Sequence, residues 1–202
     1  MKSRLVLFDL DGVLLDSEDN MRKSWDVLLT KTGLSIPFEE YFSKIGRPFP
    51  DIMEMLGLAN EAARLEKLYM TASFDFLRSP TFFPGTFKIL KRLREIGVLT
   101  GVVTSKDLPR TTAVLKHLPI EFVTVQCPVS GFRGKPAPDY LLLAMAAANC
   151  DPADTLFIGD METDFQSACR AGISYAHVAW GYGKPISSAP TLHTWLDLLT
   201  LL

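Results

Sequence analysis

Two aspartates follow a short apolar run near the start of the chain, with one residue between them. Residues 5–8 are apolar, and Asp9 and Asp11 come directly after them. If the extended conformation continues, both carboxylates lie on one side, because side chains alternate along a strand. Such a pair suits nucleophilic and acid–base chemistry. The alternative is a simple turn, since Asp11-Gly12 is a favourable type I′ pair.

A second pair of aspartates follows another apolar run. Asp160 follows the run of residues 155–158 and Gly159, and Asp164 comes four residues later at the start of a helical pattern. That spacing lets both carboxylates reach one point, and hard oxygen ligands of this kind suit Mg²⁺. The alternative is helix capping, because Asp is favoured at the N-cap and in the first turn. Glu162, between them, either joins the magnesium shell or faces solvent.

Two further segments place polar groups after predicted strands. Thr104 and Ser105 precede a helical pattern, where a hydroxyl and free N–H groups form an anion site. Ordinary capping is the alternative for these hydroxyls. Lys135 is held between a glycine and a proline. Its alternative is a solvated loop lysine, because most lysines are exposed.

These residues need a scaffold, and the hydrophobic pattern predicts one. Short apolar runs alternate with stretches of helical periodicity, which is typical of βα units around a parallel sheet. The predicted strands are 4–8, 99–103, 122–125, 155–158 and 176–179, and the predicted helices are 86–96, 109–118, 139–149, 164–171 and 192–201. The carboxyl ends of parallel strands meet at one edge. All four features are therefore expected to meet there, and together they make a set of groups suited to phosphoryl transfer.

One region interrupts the alternation of strands and helices. From residue 17 to residue 83 no strand is predicted, and apolar residues such as Met21, Trp25 and Leu28 recur at helical spacing. We call residues 17–83 the helical insertion. The sequence thus predicts an α/β protein in which a mainly parallel sheet is flanked by helices. The helical insertion follows the first strand.

Composition excludes several classes of function. The chain has 202 residues, of which 48% are hydrophobic, and a net charge of −2. No global positive charge is present to hold nucleic acid or an anionic membrane, and the longest apolar run is too short to span a bilayer. Three cysteines without metal-binding spacing favour a reducing compartment. We therefore expect a cytoplasmic protein that binds neither nucleic acid nor membrane.

At this point the motifs resemble those of a known family. The segment from Phe8 to Ser17 is similar to the first motif of the haloacid dehalogenase superfamily of hydrolases. Thr104, Lys135 and the pair Asp160 and Asp164 match its second, third and fourth motifs in order. The helical insertion resembles the cap of one large branch. The resemblance therefore implies a Rossmann-like core of residues 1–16 and 84–202 and a small all-α cap domain, residues 17–83, inserted after the first strand. Within that branch, three segments look most like phosphoglycolate phosphatase relatives: 104–106, 135–138 and 179–183.

The resemblance implies a phosphatase mechanism and a metal cofactor. It implies that Asp9 attacks phosphorus and forms an aspartyl-phosphate, while Asp11 protonates the leaving group and then activates water. It further implies that Mg²⁺ is held by Asp9, the backbone carbonyl of Asp11 and Asp160, with Asp164 binding directly or through water.

The remaining matched residues are expected to bind the substrate. The resemblance implies that Thr104, the Ser105 N–H and Lys135 bind the phosphate group. Arg47 lies in a segment similar to one that reaches over the active site in relatives, and its planar donors suit a carboxylate or a second phosphate. A solvent-facing arginine is the alternative. The expected partner is a small phosphorylated metabolite.

Three other functions fit parts of the pattern. A dehalogenase of this fold needs no second acid at Asp11, so that residue argues against it. A sugar phosphomutase of the β-phosphoglucomutase type has the same four motifs and stays open. A noncatalytic phosphate-binding or partner-docking module also stays open, although the acid pairs repel anions in the absence of a metal.

Overall fold

The core of the protein is a six-stranded, all-parallel sheet. A computed structural model describes residues 4–202, so the first three residues of the predicted core segment lie outside it. The strands stand in the order β5-β4-β1-β6-β7-β8. Their bounds are β1 Leu5–Phe8, β4 Leu99–Val103, β5 Thr124–Gln126, β6 Thr155–Gly159, β7 Ser174–Val178 and β8 Thr191–Leu192.

Helices cover both faces of this sheet because successive strand residues point to opposite sides. Val6 and Phe8 of β1 pack into one apolar cluster, whereas Leu5 and Leu7 pack into another. The first face is covered by α5 Thr86–Glu95, α6 Leu108–Leu115 and α9 Trp195–Thr200, and the second by α7 Asp139–Ala148 and α8 Glu162–Ala171. The predicted layering is confirmed.

The order of the strands places the functional edge. From β1 the chain runs outward to β4 and β5, and then it returns to the other side of β1 for β6, β7 and β8. The strand order therefore reverses direction at β1. Ligands of open α/β sheets bind outside the carboxyl ends of the strands at such a switch point, which is where the sequence puts Asp9 and Asp160.

The helical insertion has an apolar cluster of its own. Its helices are α1 Glu18–Thr32, α2 Phe38–Phe42, α3 Phe49–Met55 and α4 Ala62–Asp75, with short 3₁₀ turns at Ala59–Glu61 and Phe76–Arg78. Trp25 is fully buried at the centre of the cluster and stacks on Tyr41, with 4.3 Å between ring centroids. The Trp25 indole N–H donates to the Ile36 carbonyl at 2.9 Å.

The expectation that residues 17–83 contain no strand is wrong at one end. Thr81–Phe82 forms strand β3, which pairs antiparallel with β2, Leu15–Asp16. Two residues are too few to give a hydrophobic period, and their pairing depends on contacts distant in sequence. The chain segments that enter and leave the insertion are thus paired with each other in a small two-stranded ribbon.

Other differences are shifts of element ends. Strand β5 begins two residues later than predicted, and Leu192, which the pattern assigns to the last helix, belongs to strand β8. Among the described residues no helix is both long and apolar enough to cross a membrane.

Candidate active site

Three buried carboxylates meet at the carboxyl ends of β1 and β6. Asp9 is 5% exposed, and Asp160 and Asp164 are fully buried. Each offers one oxygen that lies within 4.8 Å of those of the other two. The sequence expectation that the two acid pairs share one edge of the sheet thus agrees with the positions of these residues.

Lys135 lies against this carboxylate cluster. Its Nζ is 2.9 Å from Asp9 Oδ1 and 2.7 Å from Asp164 Oδ1, and the residue is 2% exposed. The alternative of a solvated loop lysine is therefore wrong. Burial by itself lowers the pKa of Lys135, but the negative charges of Asp164 and Asp9 outweigh burial and raise it above its usual value. The ammonium group stays charged.

Asp160 is enclosed by backbone from two other loops. Its Oδ2 accepts a hydrogen bond from the Tyr182 N–H at 2.8 Å. A Cβ at Gly12 or at Gly181 would collide with the Asp160 side chain, so only glycine permits these segments to approach so closely. Among residues 4–202, Asp160 Oδ1 finds no hydrogen-bond partner although it is buried. A buried carboxylate oxygen without a partner is costly, and a bound cation would remove that cost.

Asp164 caps helix α8 with one carboxylate oxygen and contacts Lys135 with the other. Its Oδ2 accepts from the Asp160 and Met161 N–H groups, at 3.2 and 3.0 Å, at the start of α8. The capping interpretation is therefore correct for this oxygen, while Oδ1 faces Lys135. Glu162 is exposed and accepts from Gln166. Of the two alternatives for Glu162, the structure favours the one that faces solvent.

The electrostatics of the cluster fit a bound metal ion. Burial raises the pKa of Asp9 to about 7, although Lys135 opposes the rise, and burial together with Asp164 raises the pKa of Asp160. Three carboxylates face a single ammonium group, so the ionised cluster carries an excess negative charge. Oxygen ligands with no nitrogen or sulfur among them match Mg²⁺. The residues present thus fit the implied cofactor.

Asp11 faces the other lysine of the site. Its Oδ1 lies 3.0 Å from Nζ of Lys106, which is 6% exposed. The chain also turns here, because the N–H groups of Leu14 and Leu15 both donate to the Leu10 carbonyl. The turn and the functional interpretation of this segment are thus compatible. The sequence patterns do not single out Lys106, although it belongs to the motif that begins at Thr104.

The hydroxyls after β4 are not the cap of the next helix. Asp107 is the N-cap of α6 and accepts from the Arg110 N–H at 3.0 Å. Thr104 is buried, and its Oγ1 accepts from the Lys106 N–H at 3.1 Å. Ser105 Oγ donates to the carbonyl of Gly46 in the insertion at 3.3 Å. For α6, the capping alternative at Thr104 and Ser105 is wrong.

A cavity of about 80 Å³ lies between the helical insertion and the strand ends. Asp9, Asp11 and Thr104 line it from the core, and half-buried Arg47 lines it from the insertion. Its wall also contains Arg110, a buried residue whose Nη1 donates to Ser73 Oγ at 3.1 Å. No motif marks Arg110, and only the fold brings it to the cavity.

Comparison with known proteins identifies the family. Residues 6–178 match the family model described as haloacid dehalogenase-like hydrolase. The chain belongs to this family. The match runs from β1 to the end of β7 and therefore includes all four motifs and the helical insertion.

Curated relatives carry several names within the family. Tyrosine-protein kinase PtkA of Mycobacterium tuberculosis is 31% identical over 186 residues; the match covers 90% of this chain but only 64% of that relative. Phosphoglycolate phosphatase 1 of Pseudomonas aeruginosa is 31% identical, with 94% of this chain and 75% of the relative covered. N-acetylmuramic acid 6-phosphate phosphatase of Pseudomonas putida is 28% identical, with 92% and 86% covered. The resemblance to phosphoglycolate phosphatases is thus confirmed.

Solved structures share the whole architecture. A haloacid dehalogenase-like family hydrolase from Streptococcus pneumoniae superposes with a TM-score of 0.87 at 20% identity, covering 98% of each chain. A CbbY variant from Rhodobacter sphaeroides, in complex with xylulose-1,5-bisphosphate, gives 0.85 at 17% identity, with 97% of this chain and 96% of that one covered. At this level of identity the likeness establishes the fold.

Proposed function

We propose that this protein is a Mg²⁺-dependent phosphatase that hydrolyses a small phosphomonoester through an aspartyl-phosphate on Asp9. The observation that carries the proposal is the position of Lys135, whose Nζ joins Asp9 and Asp164 beside the orphaned oxygen of Asp160. The stability of the fold does not explain this cluster, because burying charged groups costs free energy unless they are paired. Phosphatase names among the relatives support the same reaction class.

Asp9 is the proposed nucleophile. A carboxylate oxygen of Asp9 forms a bond to phosphorus while the bond to the ester oxygen breaks, and water later attacks the same phosphorus and releases Asp9. The lysine charge 2.9 Å from Asp9 Oδ1 favours the ionised carboxylate that this attack requires. Thr104, the Ser105 N–H and Lys135 are proposed to hold the phosphoryl oxygens.

Asp11 is the proposed acid and base. Two residues after the nucleophile, on the wall of the same cavity, it gives a proton to the departing alkoxide and then takes one from the attacking water. Its contact with Lys106 at 3.0 Å orients the carboxylate before substrate binds.

Asp9, Asp160, Asp164 and the backbone carbonyl of Asp11 are proposed to hold Mg²⁺. When bound, the ion neutralises the buried carboxylates and the phosphoryl oxygens. Residues 17–83 are proposed to be a cap domain on a core of residues 1–16 and 84–202. Its Arg47, on the cavity wall, is proposed to take an anionic group at the other end of a small phosphorylated metabolite.

The experiment that tests this function measures release of nitrophenol from p-nitrophenyl phosphate. Wild type with Mg²⁺ is compared with wild type in EDTA and with Asp9→Asn in Mg²⁺. We expect turnover only in the first condition. Turnover that survives the Asp9→Asn change would remove the proposed nucleophile, and turnover in EDTA would remove the metal requirement. Folded wild type that binds Mg²⁺ but hydrolyses no phosphate ester would contradict the phosphatase itself.

A further inference from the structure

One loop of the helical insertion contacts three separate loops of the core. In this loop, residues 45–48, the Gly46 carbonyl accepts from Ser105 Oγ and from Thr163 Oγ1, each at 3.3 Å. Ser105 follows β4, whereas Thr163 lies between the acidic residues that follow β6. One backbone oxygen is thus shared by hydroxyls from two sides of the site.

Two glycines make this close contact possible. Gly46 has φ of +86°, and a Cβ there would lie 2.9 Å from Thr163 Oγ1 and 3.1 Å from Met161 Cγ. Gly134, next to Lys135, contacts the same loop from a third loop of the core. A Cβ on Gly134 would lie 2.6 Å from Cγ and 3.3 Å from Cδ of Pro48. Both contacts leave room for hydrogen only.

A methyl group at Gly134 would contact loop 45–48 through Pro48. All three atoms nearest to the added Cβ belong to Pro48, and the φ of Gly134 lies outside the left-handed region. An alanine here is therefore free of backbone strain and meets a neighbour only while the loop rests on the core. Apart from the chain neighbours Arg133 and Lys135, the three atoms nearest to the methyl group include none from the proposed catalytic residues.

We propose that Gly134, Ser105 and Thr163 are positioning residues, which seat loop 45–48 on the core and thereby hold Arg47 at the wall of the catalytic cavity. The proposal rests on the proposed function and adds to it the residues that couple the insertion to the chemistry. Because Arg47 directly follows Gly46, fixing the Gly46 carbonyl fixes the start of the Arg47 side chain. The position of the loop therefore sets where Arg47 lies on the insertion side of the cavity, whereas Asp9 and Asp11 line the core side.

The first test needs no activity. Amide hydrogen exchange of peptides spanning residues 45–56 is compared by mass spectrometry in wild type, Gly134→Ala, Pro48→Ala and the double variant. The added methyl should speed exchange in Gly134→Ala at least about fivefold, since overpacking of this kind displaces the loop. Pro48→Ala removes Cγ and Cδ and leaves Cβ, which lies 3.9 Å from the new methyl, so the double variant should return to the exchange of Pro48→Ala alone.

The second test separates the two ends of the substrate. We expect Gly134→Ala to lower kcat/KM for phosphoglycolate, whose carboxylate suits Arg47, at least about tenfold, with most of the change in KM. For p-nitrophenyl phosphate, which has no second anionic group, the change should stay within about twofold. The Gly134→Ala/Pro48→Ala variant should recover the phosphoglycolate value.

The hydroxyl at Thr163 has its own matched pair of variants. Thr163→Val keeps the shape and removes the donor, whereas Thr163→Ser keeps the donor. We expect Thr163→Val to raise the KM for phosphoglycolate about threefold to tenfold, the range of one weak hydrogen bond, and Thr163→Ser to restore it. Equal effects of both substitutions would indicate a packing role and count against the donor.

The outcomes keep this inference apart from the proposed function. Unchanged exchange in Gly134→Ala, or fast exchange that Pro48→Ala does not reverse, would overturn the seating of the loop whatever the enzyme hydrolyses. Wild type without any phosphatase activity would overturn the proposed function and leave the exchange result to decide the seating. Equal losses on both substrates would also contradict the link to Arg47.

Discussion

At the scale of single residues, the site is a concentration of buried charge. Asp9, Asp160, Asp164 and Lys135 are each at most 5% exposed and lie in one cluster. Removing an ion from water costs several kcal/mol even after relaxation, so such residues are tolerated only when they are paired or bind a metal. The unpaired Asp160 Oδ1 shows where pairing within the described protein falls short. This shortfall, rather than the number of acids, indicates the metal.

The two acids of the fourth motif allow a matched comparison. Asp160→Asn keeps an oxygen that accepts from the Tyr182 N–H but removes the charge beside the proposed ion. We expect the Mg²⁺ concentration for half-maximal hydrolysis of p-nitrophenyl phosphate to rise at least about tenfold. Glu162→Gln, two residues away and exposed, should leave it within about twofold. The same shift in both variants would argue against direct coordination by Asp160.

Lys106 carries a second prediction at this scale. Lys106→Met retains the apolar stem and removes the ammonium group that lies 3.0 Å from Asp11 Oδ1. Because general acid–base catalysis contributes about 10²–10⁴-fold, loss of the orienting partner should lower kcat at least about tenfold. Lys91→Met, on the exposed side of α5, is the control. An unchanged kcat in a folded Lys106→Met protein would remove Lys106 from the mechanism.

At the scale of elements, four core residues of the site lie just after a strand or in the first turn of a helix, whereas Lys135 lies in the loop between β5 and α7. Asp9 follows β1, Thr104 follows β4, Asp160 follows β6, and Asp164 lies in the first turn of α8. Strands β1 and β6 are buried along their whole length, and β4 is buried except at Leu99, so the ends of these strands are fixed to within the tolerance of core packing. The insertion contributes Arg47 from a loop between two short helices, and the packing of those helices therefore decides its position.

The centre of that packing is Trp25. Trp25→Ala removes a fully buried ring, its stacking on Tyr41 and its hydrogen bond to Ile36. The expected loss of unfolding free energy is about 3–5 kcal/mol, measured by urea denaturation followed by circular dichroism. Leu196→Ala, at a residue that is 66% exposed, should cost less than about 0.5 kcal/mol. A loss below about 1 kcal/mol for Trp25→Ala would contradict the packing described for the insertion.

At the scale of the whole molecule, the candidate cavity lies between the helical insertion and the ends of the strands. The insertion packs around Trp25, and the sheet packs around β1. The cavity wall takes Arg47 from the first and Asp9, Asp11, Lys106 and Arg110 from the second. The core side of the cavity thus carries charges of both signs, the insertion adds one arginine, and the small β2–β3 ribbon joins the two parts. Metal binding at the sheet edge is therefore expected to affect the stability of the whole protein.

The stability of the metal-free protein should depend on pH. Burial, opposed by Lys135, raises the pKa of Asp9 from 3.8 to about 7. Between these values the folded protein binds more protons than the unfolded chain, so its stability falls as the pH rises through this window. Mg²⁺ replaces those protons, and we expect it to raise the Tm more at about pH 7.5 than at about pH 5. Asp9→Asn should weaken this difference, and an equal Mg²⁺ effect at both pH values would contradict it.

The sequence by itself determined much of the fold and the acidic centre of the site. Buried parallel strands are continuous apolar runs, so β1, β4 and β6 are evident, and polar residues at their ends share one edge by the geometry of the sheet. The family assignment from the motifs is confirmed. The assignments of catalytic, binding and metal-ligating residues and the division into core and cap remain predictions, with the experiments above as their tests.

Only the tertiary structure decided which partner each polar group takes. Local patterns allow both solvation and a role in the site for Lys135, and both capping and metal ligation for Asp164. The fold buries Lys135 between Asp9 and Asp164, and it gives Asp164 its capping contacts. The pairing of Lys106 with Asp11, the arrival of Arg110 at the cavity and the seating of Gly46 join residues far apart in the chain. Such contacts leave no periodic signal, because they depend on how packed elements bring distant loops together.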